Sequence, residues 1–574
     1  MKIATLDFET DPFKFGRIPR PFACGIYRDG EYVEYWSDRP ELKGADVIEW
    51  AVSMIRETLS GYTVYAHNGG KFDFMYLLDQ LENPLKIING RIVQAKIGDA
   101  EIRDSYSILP IALADYHKET IDYSVMEKNV RQKHKDDILY YLAKDCEYLY
   151  DLVKTFTDSY GDKLTIGACA IAELKKLHPF KRTRKSHDDK FRPFFYGGRV
   201  ECFKPGIHNF ERPAYYIDVN SMYPSAMRNF QHPAGNATLF VGRDAEKIFD
   251  KKTGKINGEC PVYFAEIVAK NNGALPFRIT TKDKTLLEDG FVPGLNFNVP
   301  RATFNACSHE IYAALELGLI EIEHVLSLRV FSHSRNFAAF VDKFHALRVQ
   351  AKSEGSKAFD IIYKLISNSS YGKFAQNPER FCDWRFSSDG EGEGLLNDGW
   401  KLEVDYGRWE LWYKPNPGVN YFDVSIAASI TSAARSILLR AIHSVKTPYY
   451  CDTDSLICEA VSDYTDLHES RLGAWKIEGM IKTALIAGKK MYAVELDKPD
   501  KKGNRWKLAT KGVRLTVEDV RKLCTGGTVD YQQDSPKFGF KGDVQFLSRS
   551  VAGEQFRKQI KKRPKISKVL KLAM

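Results

Sequence analysis

The sequence predicts a multidomain chain of mixed α/β (α+β) construction, and three observations carry that prediction. At 574 residues the chain exceeds what one hydrophobic core usually organises. Hydrophobic residues make up 44% and aromatics 13%, with Gly and Pro scattered without a period, so several cores can be filled and no repeat architecture is indicated. Strand-like segments run into helical ones with a carboxylate at the junction, at residues 64–73 and 215–227, which is where open α/β sheets build sites.

The stretch that organises the rest is YCDTDS, residues 450–455. Its flanks, 447–450 and 456–460, read as two short strands, with Asp452 and Asp454 in the tight turn between them. Two carboxylates about 4 Å apart repel by roughly 4 kcal/mol at an effective dielectric near 20, so crowded acids require a cation. An ordinary Asp-rich surface turn would give the same hexapeptide.

A second acid set lies in the first third. Residues 2–8 alternate as a strand and deliver Asp7 and Glu9 to one face. VYAHNGGKFD, residues 64–73, reads as strand, glycine loop and helix start, placing Asp73 at the junction. Residues 136–154 form a helical pattern with Ile138, Leu142, Leu149, Leu152 and Val153 on one stripe, and Tyr141 and Asp145 share a face four residues apart. Each element has a bland reading: an edge strand with solvated acids, or a tyrosine at the rim of a core. Together, four carboxylates around two metals meet the requirement for phosphodiester hydrolysis.

DFE, HNGGKFD and YLAKD resemble, in this order, the three motifs of the 3'–5' exonuclease domain of proofreading DNA polymerases. The resemblance implies an RNase H-like domain in which Asp7, Glu9, Asp73 and Asp145 hold two divalent metals and Tyr141 orients the attacking water. It also implies that Asn68 and Phe72 contact the single-stranded 3' end, and that Lys118, in KETIDY, stands beside the scissile phosphate.

The remaining motifs follow in chain order. Tyr196, Gly197 and Gly198 form a YGG turn; YYIDVNSMYPSAM carries Asp218 from a strand towards a helix; KLISNSSYG sets Lys364, Asn368 and Tyr371 on one helix face. Arg348 stands upstream on a second helix, where a solvated basic face is the plain alternative. TSAAR contains Thr431 and Arg435, and KMY contains Lys490 and Tyr492. This series resembles the family B DNA polymerases. The resemblance implies a right-hand fold of palm, fingers and thumb in which Asp218, Val219 and Asp454 bind two Mg2+ (or Mn2+) ions, with Asp452 beside them. Tyr223 would then lie under the deoxyribose, Arg348, Lys364, Asn368 and Tyr371 would bind the dNTP, and the YGG, Thr431/Arg435 and Lys490/Tyr492 elements would contact template and primer.

The first motif at residue 7, and long intervals at 227–340 and 382–417, are similar to the protein-primed branch of phages, viruses and linear plasmids, which carries two palm insertions. The expected division is exonuclease 1–185, with a basic connection at 175–192; palm 186–228; insertion 229–330; fingers 331–375; palm 376–381; second insertion 382–417, a hairpin; palm 418–514; thumb 515–574. Expected partners are primer-template DNA, dNTPs and a terminal protein, with the enzyme a monomer.

Net charge is +9, and residues 557–574 hold eight Lys or Arg and no acid, which suits a polyanion partner. Ten cysteines without a CxxC pair and histidines without an HxH or HExxH cluster indicate neither zinc nor a disulfide framework, hence a reducing, cytoplasmic compartment. No apolar run approaches the roughly 20 residues that span a bilayer. Rival readings are a nucleic-acid-primed compact polymerase, a nuclease without synthesis, and a non-catalytic nucleic-acid-binding protein; intact motifs in the second half weigh against the last two.

Overall fold

The computed structural model describes residues 1–116, 119–388, 391–406, 409–510, 512–559 and 565–571. The strand Lys2–Thr10 lies inside a ten-stranded sheet, parallel to Tyr62–Ala66 and antiparallel to Pro21–Arg28. Its alternation suggests one wet face, but both faces are buried. Ala4 and Leu6 pack with Val47, Ala51 and Ile55 of the helix Ala45–Thr58. On the other face Ile3 packs with Leu149, and the Thr5 hydroxyl donates to the Cys146 carbonyl of the helix Lys135–Tyr160. Asp7 and Glu9, in step with Thr5, therefore point to the side of the helix that carries Tyr141 and Asp145.

A seven-stranded sheet forms the second layer system, with Gly206–Val219 between Trp475–Gly488 and Ser455–Ala460 and the hairpin partner Lys446–Asp452 beyond. The helix Val424–Ser444 backs it. By length and composition this helix, alone among those described, could cross a membrane, which the sequence reading does not anticipate because Ser and Thr interrupt its apolar string. Its most apolar window is 89% buried inside the molecule, so that apolarity fills a core.

Between these parts, His232–Val241, Ile320–Arg335, Tyr263–Asn271 and Arg301–Cys307 make a separate antiparallel sheet, in which Ile320–Arg335 runs past residue 330. The helices Ala338–Ser353 and Lys357–Phe374 pack as a pair, reversing at Gly355, whose φ of +72° favours glycine. The expected connection at 175–192 is not a plain linker. It holds the end of the helix Ile166–Leu177 and the helix Lys185–Phe191, because Phe191 is buried and Phe180 packs against Phe374 and Phe422.

Residues 382–417 do form a hairpin, Cys382–Ser388 with Trp409–Pro415 and Lys401–Asp405. It continues the first sheet through a pairing of Trp384 with Leu85. Phe386, Val404 and Leu411 enter the core of that sheet, as do Val544 and Phe546 from the C-terminal strand Asp543–Ala552. The basic end contributes the strand Lys565–Lys571, paired to Asp543–Ala552, rather than a helix; residues 560–564 and 572–574 lie outside the described residues.

Candidate active sites

Asp218 ends its strand opposite Ser455, which puts it beside Asp454 in the hairpin turn. Main-chain bonds fix that turn: Val219 N–H donates to the Asp454 carbonyl (2.8 Å), Asp454 N–H to the Asp452 carbonyl (2.6 Å), and Thr453 N–H to the Arg199 carbonyl (2.7 Å). At Gly198 a Cβ would stand 2.7 Å from the Thr453 side chain, so this glycine is required by the close approach of two loops. Burial, then the Asp454 charge, pushes Asp218 up to about 7; burial, then Asp452, pushes Asp454 up to about 6.

Asp452 does not complete an acid pair with Asp454. Lys490 Nζ lies 2.5 and 2.7 Å from its two carboxylate oxygens, so the hairpin presents Asp454 towards Asp218 and leaves Asp452 already neutralised. The Val219 side chain is buried, and only its main chain can face the acids. Tyr223 stacks on Tyr371 with centroids 4.0 Å apart and planes at 19°, joining the helix Met222–Asn229 to the helix that exposes Lys364 and Asn368. Among the described residues Lys364 has no ion pair, whereas Arg348 is bound to Asp360 at 2.7 Å.

The first sheet brings together the other four acids. Burial dominates at each. It raises Asp7 and Glu9 well above the usual carboxylate range, helped by their neighbours' charges, Asp73 to about 7, and Asp145 to about 6. Asp73 Oδ1 is buried without a partner. Tyr141 hydrogen-bonds Asp145, and its hydroxyl also meets that of Tyr123 at 3.3 Å. Asp7, Glu9 and Asp145 open into a cavity of about 580 Å³ that Phe13, His67, Phe72, Tyr123 and, from the C-terminal region, Arg514, Asp534 and Ser535 help to line, with Asp73 buried behind them. Phe72 meets Phe13 at 5.4 Å and Phe538 at 5.6 Å. Asn68 adopts φ +62° and accepts from Arg91 at 2.9 Å. Lys118 lies outside the described residues.

Acids raised by burial and then by one another's charge, one with an orphaned oxygen, fit divalent cations. Among the described residues no three Asp, Glu, His or Cys side chains form a closed cage. Ions here would complete their shells with substrate or water oxygens, as an open catalytic site does.

Residues 113–456 match the family model described as DNA polymerase type B, organellar and viral. This chain belongs to that family. The polymerase is 39% identical over 585 residues to the DNA-directed DNA polymerase of Enterobacteria phage PRD1, with 96% of this chain and 98% of that one covered. It is 23% identical over 414 residues to the DNA polymerase of Bacillus phage phi29, covering 67% and 62% of the two chains. Its fold matches a solved phi29 DNA polymerase complex with primer-template DNA and incoming nucleotide, at TM-score 0.68 and 17% identity over 96% of this chain and 100% of that one. The exonuclease, palm, fingers and thumb arrangement is thus the fold of this polymerase.

Four expected contact residues are placed elsewhere. Thr431 is buried, its hydroxyl donating to the Ala428 carbonyl of its own helix. Arg435, 2% exposed, is held by Glu310 through Nε (2.7 Å) and Nη2 (2.8 Å) and donates to the carbonyls of Tyr196 and Gly197. Tyr196 is buried too, leaving Gly197 as the exposed part of the YGG turn. Tyr492 packs behind the hairpin on Tyr450 (4.7 Å) and meets the Tyr216 hydroxyl at 3.2 Å. These side chains brace the site from within. The sequence reading misses Glu310, Tyr123 and Arg514: Tyr123 closes the KETIDY string read only for Lys118, Glu310 and Arg514 sit in segments without a motif, and only a partner search for the buried Arg435 would have pointed to Glu310.

Proposed function

We propose that this polymerase extends primer-template DNA with dNTPs at Asp218, Val219 and Asp454, and removes mispaired single-stranded 3' ends at Asp7, Glu9, Asp73 and Asp145, with two Mg2+ (or Mn2+) ions at each site. The observation that carries the reading is the pair of separate carboxylate clusters, one at each sheet, whose acids burial holds above their usual range. The bound ions would activate the attacking oxygen and balance charge on the phosphate. The chain's own groups position. The stacked Tyr223 and Tyr371 make a rigid platform for sugar and base, exposed Lys364 and Asn368 reach the triphosphate, and Lys490 can pass from Asp452 to a primer phosphate. Tyr141, with Tyr123, orients water beside Asp145, and Phe72 offers an aromatic face to the last bases.

The second part of the reading is that synthesis starts on a terminal-protein hydroxyl and separates the duplex ahead unaided, the enzyme acting as a monomer in the host cytoplasm. The division given above (exonuclease 1–185, insertions 229–330 and 382–417, thumb 515–574) goes with it. What favours it is the hairpin 382–417, which touches both the exonuclease sheet and, through Trp384 and Phe540 at 6.1 Å, the C-terminal region. An arch closed in this way lets one strand pass and turns the other aside.

Separated variants test the two sites. Asp218→Ala or Asp454→Ala should lower dNTP incorporation by about 10³-fold or more and spare degradation of a labelled oligonucleotide; Asp7→Ala with Glu9→Ala should do the reverse. A folded variant that loses both activities sinks the two-site reading. Protein priming predicts a covalent adduct between labelled dNTP and the priming protein, lost in Asp454→Ala.

A further inference from the structure

Asn83 lies on the edge strand Glu82–Ile88 of the first sheet, where the hairpin 382–417 joins it. Its side chain does the work of a backbone. Nδ2 donates to the Phe386 carbonyl at 2.7 Å and Oδ1 accepts from Phe386 N–H at 3.0 Å, so one carboxamide satisfies both main-chain groups of one hairpin residue. Two residues on, Leu85 pairs with Trp384 in antiparallel register. The seam is therefore short. Beneath it the Phe386 side chain is buried with Leu85 and Ile87, and Trp384 reaches out to Phe540.

We propose that Asn83 is the clasp that fixes the hairpin to the exonuclease edge, and is thereby a positioning residue for strand separation. A residue of the exonuclease domain, absent from the lining of the acid cavity, sets how firmly the enzyme opens duplex ahead of it. The inference rests on the reading that the hairpin parts the strands. Separation loads the hairpin sideways, whereas copying an open template does not. Without the carboxamide, both main-chain groups of Phe386 lose their partner and the load falls on the Trp384–Leu85 contact.

The test compares Asn83→Ala with the parent enzyme on three substrates: a single-stranded oligonucleotide, a gapped template and a primed duplex. Degradation and gap filling should stay within about twofold, and extension through duplex should fall by about tenfold. Unchanged extension through duplex overturns the proposal. A cross-link supplies the second arm: Leu85→Cys with Trp384→Cys, placed on facing strand positions within disulfide reach, added to Asn83→Ala. Oxidation should restore duplex extension and reductant should remove it again, with oxidised Asn83→Ala as control. If Asn83→Ala lowers all three activities alike, restoration by the cross-link upholds the clasp and no restoration overturns it. Deleting 382–417 separates the two failures. A deletion that leaves duplex extension intact refutes the strand-separating hairpin, whereas a deletion that abolishes it while Asn83→Ala does not refutes the clasp alone.

Discussion

In the first sheet, Asp7, Glu9, Asp73 and Asp145 face one another with no Lys or Arg ion pair among the described residues, while in the palm Lys490 closes on Asp452 and the charges of Lys507 and Lys476 act on Asp218. The first cluster is assembled by packing and neutral hydrogen bonds, such as that from the Thr5 hydroxyl to the Cys146 carbonyl. Strand, junction and helix are locked by Ala4, Leu6, Leu142 and Leu149, and the acids must accept the proximity. The second cluster carries its own cation, Lys490, in the turn between the strands Trp475–Gly488 and Met491–Leu496. Without ions both clusters are strained, Asp73 and Asp218 pushed up to about 7 and Asp145 and Asp454 to about 6, and only the palm hairpin is partly neutralised in advance, at Asp452.

The largest effect should come from relieving that strain. Asp73, pushed up to about 7, holds a proton in the folded state that it would release near 4 when unfolded, so its contribution to stability falls as pH rises through that window. Asp73→Asn should therefore stabilise the ion-free protein at pH 8 by about 1–4 kcal/mol, read by thermal unfolding in chelator, and lose that advantage when Mg2+ is added. Equal melting temperatures in chelator would mean that the two clusters do not differ in this way. Next, Lys490→Gln should leave Asp452 uncompensated beside Asp454 and weaken primer-template extension by about 1–3 kcal/mol in kcat/KM, with single-strand degradation unchanged. A loss as large in degradation would remove the distinction.

What the sequence reveals depends on whether a function is local. Motifs confined to one turn or one helix face are legible: the YCDTDS turn, Tyr141 with Asp145, and Lys364 with Asn368 and Tyr371 follow from spacing alone, as does the helical pattern at 136–154, which the structure extends to Lys135–Tyr160, whereas the hairpin at 382–417 is expected from the family resemblance. Partnerships across the chain are not. Nothing near Arg435 announces that Glu310, 125 positions away, will bury it, and TSAAR reads as a surface motif because Arg is usually exposed. Tyr492 alternates with its neighbours along a strand, but which face is covered is decided by Tyr216 and Tyr450 from other strands. The common core of Phe386, Val544 and Leu85 is illegible for the same reason: three distant segments supply it.

The smallest effect tests the comparison through its sign. His232 is fully buried behind the palm, its Nδ1 at 2.9 Å from the Ser429 hydroxyl and its Nε2 at 3.0 Å from the Ala226 carbonyl, so it ties the helix after Asp218 to the core helix Val424–Ser444. Burial, reinforced by His309, pushes it down to about 3. In the unfolded chain it would bind a proton near 6.5, so below that pH the unfolded state takes up a proton the folded state refuses, and stability falls with acid. The acids of both clusters respond in the opposite sense, because the folded state is the one that binds their protons. Between pH 7.5 and 5.5 His232 should cost about 1.4 kcal/mol, and His232→Asn, which keeps a donor and an acceptor, should flatten the pH dependence by that amount. Hydrogen exchange in chelator reads the halves separately. On acidification both strands should gain protection, Gly206–Val219 the less because His232 offsets part of the gain from Asp218 and Asp454, with His67 subtracting a little from Lys2–Thr10 because burial lowers it too. Parallel loss in both strands would show that the exonuclease acids are not strained in the ion-free protein, and the contrast between the clusters would fail with it.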